Sequence, residues 1–413
     1  MKNFYSRQVE IKRAFLYNVA SYCFTFRPVF TQRSGPAAQG GCFSFAAAKL
    51  PLLTSIKPEK ERIELKRIGV LTSGGDAPGM NATVRAVVRS ALQNDMSVVG
   101  FKRGYNGVLM RSSTQTDDFQ MMTARSVSDK IHRGGTFLMT ARCLEFKNRE
   151  YQEKAVSNLR LLGVEGLVCI GGDGTFHGAN ALAELGFPVI GIPGTIDNDL
   201  DYTEATIGFD TALNTACDCV NRIRETSDSH ERASIITVMG RNCGDIAVNT
   251  ALACGAEVVI IPEKPWTVEE LADQVRWGVM KGKRSMIMVF AEGAVHSLKS
   301  DVNAICSKYE SLSDVSTRHL SSSQIAMMIE ALSGHETRAT VLGYTQRGGS
   351  PTAADRILAS RLGAYAVHLL RDDQAGLAVG IRKGELIHAP IHEAMHGRQS
   401  ANEELLNLIN ELS

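Results

Sequence analysis

The chain has 413 residues, of which 44% are hydrophobic, so it can bury one large core or two of ordinary size. Its 45 basic and 44 acidic residues leave a formal net charge of +1, which excludes a global field that would hold nucleic acid or a membrane surface. No apolar run approaches the roughly 20 residues that span a bilayer. The nine cysteines form neither a C-x-x-C pair nor a zinc-type spacing, so we expect reduced thiols and a cytoplasmic location.

Residues 1–66 differ in composition from the remainder of the chain. Glu10 is the only acidic residue before Glu59, whereas Lys and Arg are interleaved with Ser, Phe and Ala. Such a composition resembles a transit peptide. It also fits a disordered tail, or upstream sequence that the mature protein lacks. We therefore treat 1–66 as an N-terminal extension that is disordered, processed or not translated.

From residue 67 onward the chain repeats the order strand, glycine-rich loop, helix. This order aims free backbone N–H groups at a phosphate. The first unit is a strand at Ile68–Leu71, a loop at 72–79 and a helix at Asn81–Leu92, and the second is a strand at 166–170, the loop Gly171–Thr175 and a helix through Leu185.

Further alternation of strand and helix patterns predicts an α/β fold with mostly parallel sheets and ligands at the carboxyl ends of strands. Residues 297–323, rich in Ser, break the pattern and are interpreted in part as an insertion or a long loop. The other predicted elements are strands at 188–192, 233–239, 257–261, 285–291 and 337–343, and helices at 245–254, 268–280 and 352–371.

The loop Pro193–Asp199 follows one of these strands and holds a hydroxyl, Thr195, close to two carboxylates, Asp197 and Asp199. One carboxylate could accept the proton of an attacking alcohol while the other holds Mg²⁺, as phosphoryl transfer requires. The same letters also describe an Asx-rich surface turn. The loop Gly171–Thr175 lacks the dinucleotide spacing G-x-G-x-x-G, and no G-x-x-x-x-G-K-[ST] occurs, which argues against a P-loop NTPase.

Taken together, six separated motifs resemble those of the ATP-dependent 6-phosphofructokinases of the single-unit bacterial type. They occur in the family's order, from about residue 67 nearly to the C-terminus. The motifs are residues 72–81, Gly134–Leu138 with Arg142, Gly171–Thr175, Pro193–Asp199, Met239–Arg241 with Cys243–Asp245, and Glu336–Gly343 with Gln346–Pro351.

The resemblance implies two doubly wound, mostly parallel sheet domains with the active site in the cleft between them. The implied ATP-binding domain covers 67–208 plus 346–396. The implied fructose 6-phosphate-binding domain covers 209–345 plus 397–413 and contains the insertion around 297–323.

The implied reaction is transfer of a phosphoryl group from ATP to the 1-hydroxyl of fructose 6-phosphate, with Mg²⁺ as cofactor. Asp197 would be the general base, Thr195 would orient the reacting groups, and Arg241 would neutralise charge on the phosphoryl group in transit. Asp173 and Asp199 would hold Mg²⁺. The ATP site would comprise Gly75, Tyr105, Arg142, Gly172, Asp173, Gly174 and Thr175.

The implied sugar-phosphate site needs a cationic pocket. In this family the residues matching Arg232 and Arg338 reach across a subunit boundary, so the resemblance implies an oligomer, typically a homotetramer. Tyr344 stands where bacterial members commonly carry His, and a phenol brings no positive charge. The full implied set is Thr195, Asp197, Asp199, Arg232, Met239, Gly240, Arg241, Glu292, Arg338, Tyr344 and Arg347.

Pyrophosphate-dependent relatives are the nearest alternative, and they resemble G-G-D-D and P-K-T-I-D-N-D at two of these loops. Here Gly174 and Gly194 occupy the distinguishing positions, which favours ATP, since glycine leaves room for an α-phosphate. A non-catalytic sugar-phosphate sensor should lack a base or a metal ligand. A lipid or nicotinamide-nucleotide kinase would share only the loop Gly171–Thr175.

A second anionic site is implied by residues that match the family's effector site. Arg85 and Arg89 are four positions apart and so lie on one face of the first helix. Several cations converging on one cleft would bind ADP or phosphoenolpyruvate and give allosteric control. One arginine usual in the family is replaced by Ala124, with Arg125 beside it. The implied effector residues are Arg85, Arg89, Arg224, Glu257, Lys281 and Lys283.

Overall fold

The computed structural model describes residues 65–111, 115–315, 320–395 and 403–412, which all belong to one compact unit. The prediction for the N-terminal extension therefore lies outside the described residues, apart from Leu65 and Lys66. Within the described ranges, no helix is both long enough and apolar enough to cross a membrane.

Two sheets and the helices that cover them make up the described chain. The strands are β1 Arg67–Thr72, β2 Ser97–Phe101, β3 Phe119–Met122, β4 Gly166–Gly171, β5 Val189–Pro193, β6 Ala233–Val238, β7 Val258–Ile260, β8 Met286–Ala291, β9 Thr337–Val341, β10 Leu377–Arg382 and β11 Glu385–Pro390. The helices are α1 Met80–Gln93, α2 Tyr105–Val108, α3 Gln115–Asp118, α4 Arg149–Leu161, α5 Asp173–Glu184, α6 Phe209–His230, α7 Asp245–Cys254, α8 Val268–Met280, α9 Val302–Cys306, α10 Ser322–Ser333, α11 Ala353–Arg371, α12 Ile391–Ala394 and α13 Glu403–Leu412.

The first sheet has seven strands in the order β11-β10-β5-β4-β1-β2-β3. Its centre is parallel, and only the edge pairs β2–β3 and β10–β11 are antiparallel. Every residue of β4 and β5 is buried, as expected for parallel strands covered by helices on both faces. The second sheet is wholly parallel, in the order β7-β8-β6-β9. The predicted α/β fold with mostly parallel sheets is confirmed.

Most predicted elements lie within a residue or two of their observed bounds, and α7 and α8 begin and end at the predicted residues. Capping explains the sharp start of α8, because Thr267 and Glu270 form a reciprocal capping box. The expected irregular stretch contains the short helix α9 and a 3₁₀ turn at Glu310–Leu312.

The elements that were not predicted are the strands β2, β3, β10 and β11 and the helices α2, α3, α4, α6, α9, α10, α12 and α13. In α6 the buried positions Ala212, Ala216 and Val220 form a stripe of small side chains flanked by the polar Thr211 and Ser227, so the apolar signal in its sequence is weak. The edge strands β3 and β11 have exposed or half-buried side chains along most of their length, so burial does not impose a regular hydrophobic pattern on them.

Contact between α1 and α11 brings together two helices that are far apart along the chain. Gly363 in α11 permits this approach, since a Cβ there would lie 2.7 Å from Cβ of Ala86. In parallel strands the carboxyl ends meet at one edge, so the loops after β1, β4 and β5 are neighbours. The loops after β6 and β8 share the corresponding edge of the second sheet.

Candidate active site

The loop after β5 holds the predicted base. Gly194 N donates to the carbonyl of Gly171 at 3.0 Å, which continues the pairing of the two strands into their loops. The backbone N–H of Asp197 donates to Oγ1 of Thr195 at 3.2 Å. Asp197 is only 9% exposed, and its Oδ1 is buried without a hydrogen-bond partner. A buried carboxylate oxygen left without a donor is a natural place for a ligand proton.

The pKa of the Asp197 carboxyl is raised to about 6. Burial is the largest cause, and the negative charges of Asp199 and, to a smaller extent, Glu292 also raise this pKa. The guanidinium groups of Arg347 and Arg241 act in the opposite direction. The group therefore remains mostly ionised at neutral pH, yet it binds a proton more strongly than an ordinary aspartate. Both properties suit a general base.

Asp199 and Asp173 form a carboxylate pair suited to Mg²⁺. Burial raises the pKa of Asp199, and the charge of Asp173 adds to this effect. Asp199 Oδ1 is buried without a partner, and Asp173 begins α5 with its side chain 33% exposed. Within the described ranges, no cluster of three or more His, Cys, Asp or Glu side chains could hold a metal alone. Mg²⁺ usually takes one or two carboxylates, waters and substrate phosphates, so these residues fit it.

The loops after β1 and β4 lie against each other, with glycine where they meet. A Cβ at Gly171 would collide with the carbonyl oxygen of Ser73 and with the hydroxyl of Thr175. The Thr175 hydroxyl is buried and has no hydrogen-bond partner. A Cβ at Gly174 would meet no atom within 4 Å, so the N-terminus of α5 has open space beside it. These loops can bring backbone N–H groups and a hydroxyl close to an anion.

Arg347 covers the first of these loops. Its Nη1 donates to the carbonyl of Asp76 at 3.0 Å, and a Cβ at Gly75 would lie 2.6 Å from the same nitrogen. Arg347 also lowers the pKa of Asp197, so its charge reaches both the base and the glycine-rich loop. Tyr344, three residues earlier in the same 3₁₀ helix, is 83% exposed.

The segment from Gly134 to Arg142 is held against the loop after β1 by side chains that were not predicted. The Asn81 amide donates to the carbonyl of Gly134 at 3.0 Å and accepts from the N–H of Phe137 at 2.8 Å. Thr140 donates to the carbonyl of Gly74 at 2.6 Å. These contacts place the exposed Arg142 beside the glycine-rich loops. Asn81 closes the first motif, but its partner could not be identified from sequence.

Tyr105, predicted to line the ATP site, is buried beneath the start of α5. It is 4% exposed, stacks on Phe146 at 4.2 Å between ring centroids, and donates its hydroxyl to the carbonyl of Thr175 at 2.6 Å. A Cβ at Gly178 would lie 2.5 Å from the same ring. Tyr105 therefore supports the start of α5 from the core and offers no free ring face to a nucleotide.

The loop after β6 carries Arg241. Gly240 has φ 132°, and a Cβ there would lie 2.5 Å from the carbonyl oxygen of Cys243, so only glycine fits this turn. Arg241 itself has φ 55°, and its N–H donates to Glu292 Oε1 at 3.0 Å. The N–H of Met239 donates to the Gln346 side chain at 3.3 Å. The motif Met239–Arg241 thus meets the predicted substrate residue Glu292 and the segment that begins at Gln346.

Arg232 and Arg338 lie at the other edge of the second sheet. Arg232 directly precedes β6 and Arg338 is the second residue of β9, whereas Arg241 follows the carboxyl end of β6. Both arginines face Glu336, at 3.7 and 3.1 Å, and Arg338 also pairs with Glu330 at 2.7 Å. The Nε of Arg232 is buried without a partner. One chain therefore does not bring these two arginines to Asp197.

Three of the predicted effector residues gather between the end of α7 and the turn before β8. Arg224 donates to the carbonyls of Cys254 and Gly255 at 2.7 and 3.1 Å. Lys283 pairs with Glu257 at 3.2 Å. Lys281, close in sequence to Lys283, sits with its Nζ 3.3 Å from the centroid of the Trp277 ring.

Arg85 and Arg89 are close enough to interact, as their spacing on α1 predicts. Burial lowers the pKa of Arg85, and the charge of Arg89 lowers it further. Among the contacts of the described residues, none joins this pair to Arg224, Glu257 or Lys283.

Comparison with known proteins identifies the family. The model of the phosphofructokinase family matches residues 67–370. The ATP-dependent 6-phosphofructokinases of Clostridium botulinum (strain Loch Maree) and Clostridium tetani are each 48% identical over 349 residues, which is 84% of this chain and 100% of theirs.

Solved structures give the same result. Phosphofructokinase from Saccharomyces cerevisiae is 32% identical with a TM-score of 0.68 over 80% of this chain. The Pichia pastoris enzyme in the T-state is 31% identical with a TM-score of 0.70 over 87%. This chain spans 45% and 40% of those two chains. A pyrophosphate-dependent phosphofructokinase from Marinobacter aquaeolei shares the fold, with a TM-score of 0.66 at 21% identity over 80% of this chain and 84% of its own. The matched span and these identities show that the chain belongs to the phosphofructokinase family.

Proposed function

We propose that the protein transfers a phosphoryl group from ATP to the 1-hydroxyl of fructose 6-phosphate, giving fructose 1,6-bisphosphate and ADP. This reaction is the committed step of glycolysis, and a glycolytic role favours a cytoplasmic location. The observation that carries the proposal is the buried, unpartnered carboxylate oxygen of Asp197, which lies between Arg241 and the glycine-rich loops. The close relatives named ATP-dependent 6-phosphofructokinase support the choice of substrates.

In this proposal Asp197 accepts the proton of the 1-hydroxyl as that oxygen attacks the γ-phosphorus of ATP. The bond between this phosphorus and the β–γ bridging oxygen breaks, and ADP leaves with the electron pair. Thr195 keeps Asp197 oriented through the hydrogen bond to its backbone N–H. Arg241 offers a fixed positive charge to the phosphoryl oxygens, where electrostatic stabilisation contributes most to phosphoryl transfer.

The nucleotide phosphates would lie against the loops at Gly75 and Gly172–Thr175, with Arg142 on the opposite side. Asp173 and Asp199 would hold Mg²⁺, whose charge would offset that of the phosphates. The unpartnered hydroxyl of Thr175 and the N-terminus of α5 support this placement.

The choice of ATP over pyrophosphate rests on two glycines. The open space at Gly174 is where an aspartate side chain would meet the α-phosphate of ATP. At Gly194 a Cβ would lie 3.0 Å from Cγ2 of Ile170, so a lysine there would need its neighbours to shift. Both observations favour ATP as the donor.

We also propose that the two sheets mark the ATP-binding part, 67–208 plus 346–396, and the sugar-phosphate-binding part, 209–345 plus 397–413. The seven strands of the first sheet fall within the former range and the four strands of the second within the latter. Met239, Gly240, Arg241, Glu292 and Arg347 would contact the sugar phosphate from the edge that faces Asp197.

A second copy of the chain would complete the sugar-phosphate site. Arg232 and Arg338 lie at the edge of the second sheet opposite to Arg241, which supports their use by a neighbouring subunit. Their pairing with glutamates would then be exchanged for pairing with the phosphate. We infer a homotetramer with active sites shared between subunits.

ADP and phosphoenolpyruvate are proposed as effectors at the cluster of Arg224, Glu257 and Lys283, with Lys281 at its side. Arg85 and Arg89 would contribute to the same site from another subunit, because no described contact joins them to it within the chain. A structure of the Pichia pastoris relative is described as a T-state, which is consistent with control of this kind.

The test is a steady-state assay with Mg²⁺ and fructose 6-phosphate that compares ATP with pyrophosphate. We expect turnover with ATP alone and a loss of about 10³-fold or more in Asp197→Ser, since a general base contributes roughly 10²–10⁴-fold. Turnover with pyrophosphate would identify the other donor class. If neither donor supports turnover, the non-catalytic sugar-phosphate sensor is favoured. Turnover with a lipid or a nicotinamide nucleotide as acceptor would instead identify one of the other kinase classes.

A further inference from the structure

Asn198 lies between Asp197 and Asp199, and its side-chain amide forms hydrogen bonds inside the protein through both its nitrogen and its oxygen. It is 3% exposed. Its Nδ2 donates to Oδ2 of Asp245 at 3.0 Å, and its Oδ1 accepts from the N–H of Thr206 at 3.1 Å. The amide therefore joins the loop after β5 to two other segments of the chain.

The bond to Asp245 crosses between the two sheets. Asp245 is the first residue of α7, directly after the loop that carries Arg241, and it is 8% exposed. The helix N-terminus favours a negative charge at this position, so Asp245 is a stable acceptor. Asn198 thus ties the loop of the proposed base, on the first sheet, to the loop of the proposed phosphoryl-binding arginine, on the second.

The bond to Thr206 fixes the loop after β5 to a later segment of the chain. The hydroxyl of Thr206 donates to the carbonyl of Thr195 at 2.6 Å, while its N–H donates to Asn198. Asn198 also has φ 52°, a left-handed conformation that asparagine adopts more readily than most residues. Thr206 therefore holds the loop at both Thr195 and Asn198.

We propose that the Asn198–Asp245 hydrogen bond is a positioning device that sets the distance and angle between Asp197 and Arg241. The inference rests on the function proposed above. Neither residue touches the reacting atoms. Their contribution is to hold two groups from different sheets in register, and a misplacement of about 1 Å between such groups can cost about 10²-fold in rate.

The first variant separates the effect of the Asn198 amide from that of the left-handed backbone conformation. Asn198→Gly keeps the left-handed φ without strain and removes both side-chain bonds. We expect kcat to fall about 10- to 100-fold while the KM for ATP changes less than about twofold. If the wild type is active and Asn198→Gly has an undiminished kcat, the positioning inference is overturned but the proposed function is not. An inactive wild type would overturn the proposed function and this inference with it.

The second variants test whether the two residues act as a pair. Asp245→Ala should lower kcat by no more than Asn198→Gly, because Asn198→Gly also removes the bond to Thr206. The double variant should be no slower than Asn198→Gly, because the bond between the two residues is already lost in that variant. Asp245→Asn keeps an acceptor oxygen and should retain most of the wild-type kcat. Losses that multiply in the double variant, or a loss in Asp245→Asn as large as in Asp245→Ala, would overturn the pairing.

The matched control is Asn249→Ala. The Asn249 amide donates to the backbone carbonyl of Asp245 at 2.8 Å but does not reach the loop of Asp197. Its kcat should match that of the wild type. Thermal unfolding of every variant identifies any that fail to fold, and a loss of kcat in Asn249→Ala equal to that in Asn198→Gly would reduce the effect to general destabilisation and overturn the inference.

Discussion

The two edges of the second sheet treat their charged residues differently. The carboxyl edge faces the loop after β5 of the first sheet, where Asp197 is buried and Asp199 is half-buried. Each has a buried Oδ1 without a partner, and burial raises the pKa of both. At the amino edge, Arg338 is half-exposed and paired with two glutamates. The first edge has unmet hydrogen-bonding capacity that a ligand could satisfy. The second edge has its charge compensated, so a phosphate must compete with glutamates for it.

The comparison predicts that variants at the carboxyl edge lose chemistry and variants at the amino edge lose substrate affinity. Arg241→Ala should have the largest effect among the binding residues, with kcat about 10²–10³-fold lower, because it removes the charge that stabilises the phosphoryl group in transit. The KM for ATP should change little. A pure rise in the KM for fructose 6-phosphate, with kcat unchanged, would move Arg241 to ground-state binding.

Arg338→Ala should raise the KM for fructose 6-phosphate about 10- to 100-fold with a smaller effect on kcat, since a charged bidentate contact to the phosphate is lost. Mixing subunits sharpens this test. If sites are shared, oligomers assembled from Arg338→Ala and inactive Asp197→Ser chains will contain some sites in which both residues are intact. Recovered high-affinity activity in the mixture would support sharing, and its absence after confirmed subunit exchange would count against it.

Gly174→Asp tests the donor at the first sheet. A Cβ at this position meets no protein atom within 4 Å, so the fold should tolerate the side chain and the Tm should stay near that of the wild type. The carboxylate should repel the nucleotide and raise the KM for ATP about tenfold or more, while the KM for fructose 6-phosphate changes little. Gly186→Asp, also free of contacts but just beyond the opposite end of α5, is the matched control for charge. Gly186 has φ +75°, so the Tm of this variant must be measured.

The pH dependence should be the mildest effect. Because the pKa of Asp197 is raised to about 6, the ionised base is lost as the pH falls through that value, and kcat/KM should drop about tenfold per unit below it. In Glu292→Gln the limb should shift to lower pH, because Glu292 is one of the charges that raise this pKa. A limb that stays in place would indicate titration of the substrate phosphate instead.

The sequence by itself determined the α/β class and the approximate bounds of the elements that it predicted, because strand and helix periodicities in the central segments follow directly from burial on a sheet or on one helix face. It also determined which residue types gather at the strand ends. Elements whose burial imposes no simple period, such as the edge strands β3 and β11, could not be predicted in this way.

Only the tertiary structure decided which side chains meet. It places Tyr105 beneath α5 and brings the Asn198 side chain to Asp245, and in each case the partners are far apart along the chain. It also separates Arg232 from Arg241, which lie at opposite edges of the second sheet although both belong to the implied sugar-phosphate site. Local periodicity contains no information about such distances, since they depend on how two sheets and their helices pack. That packing leaves Asp197 with a free buried oxygen, and its raised pKa follows from desolvation that no local pattern of residues specifies.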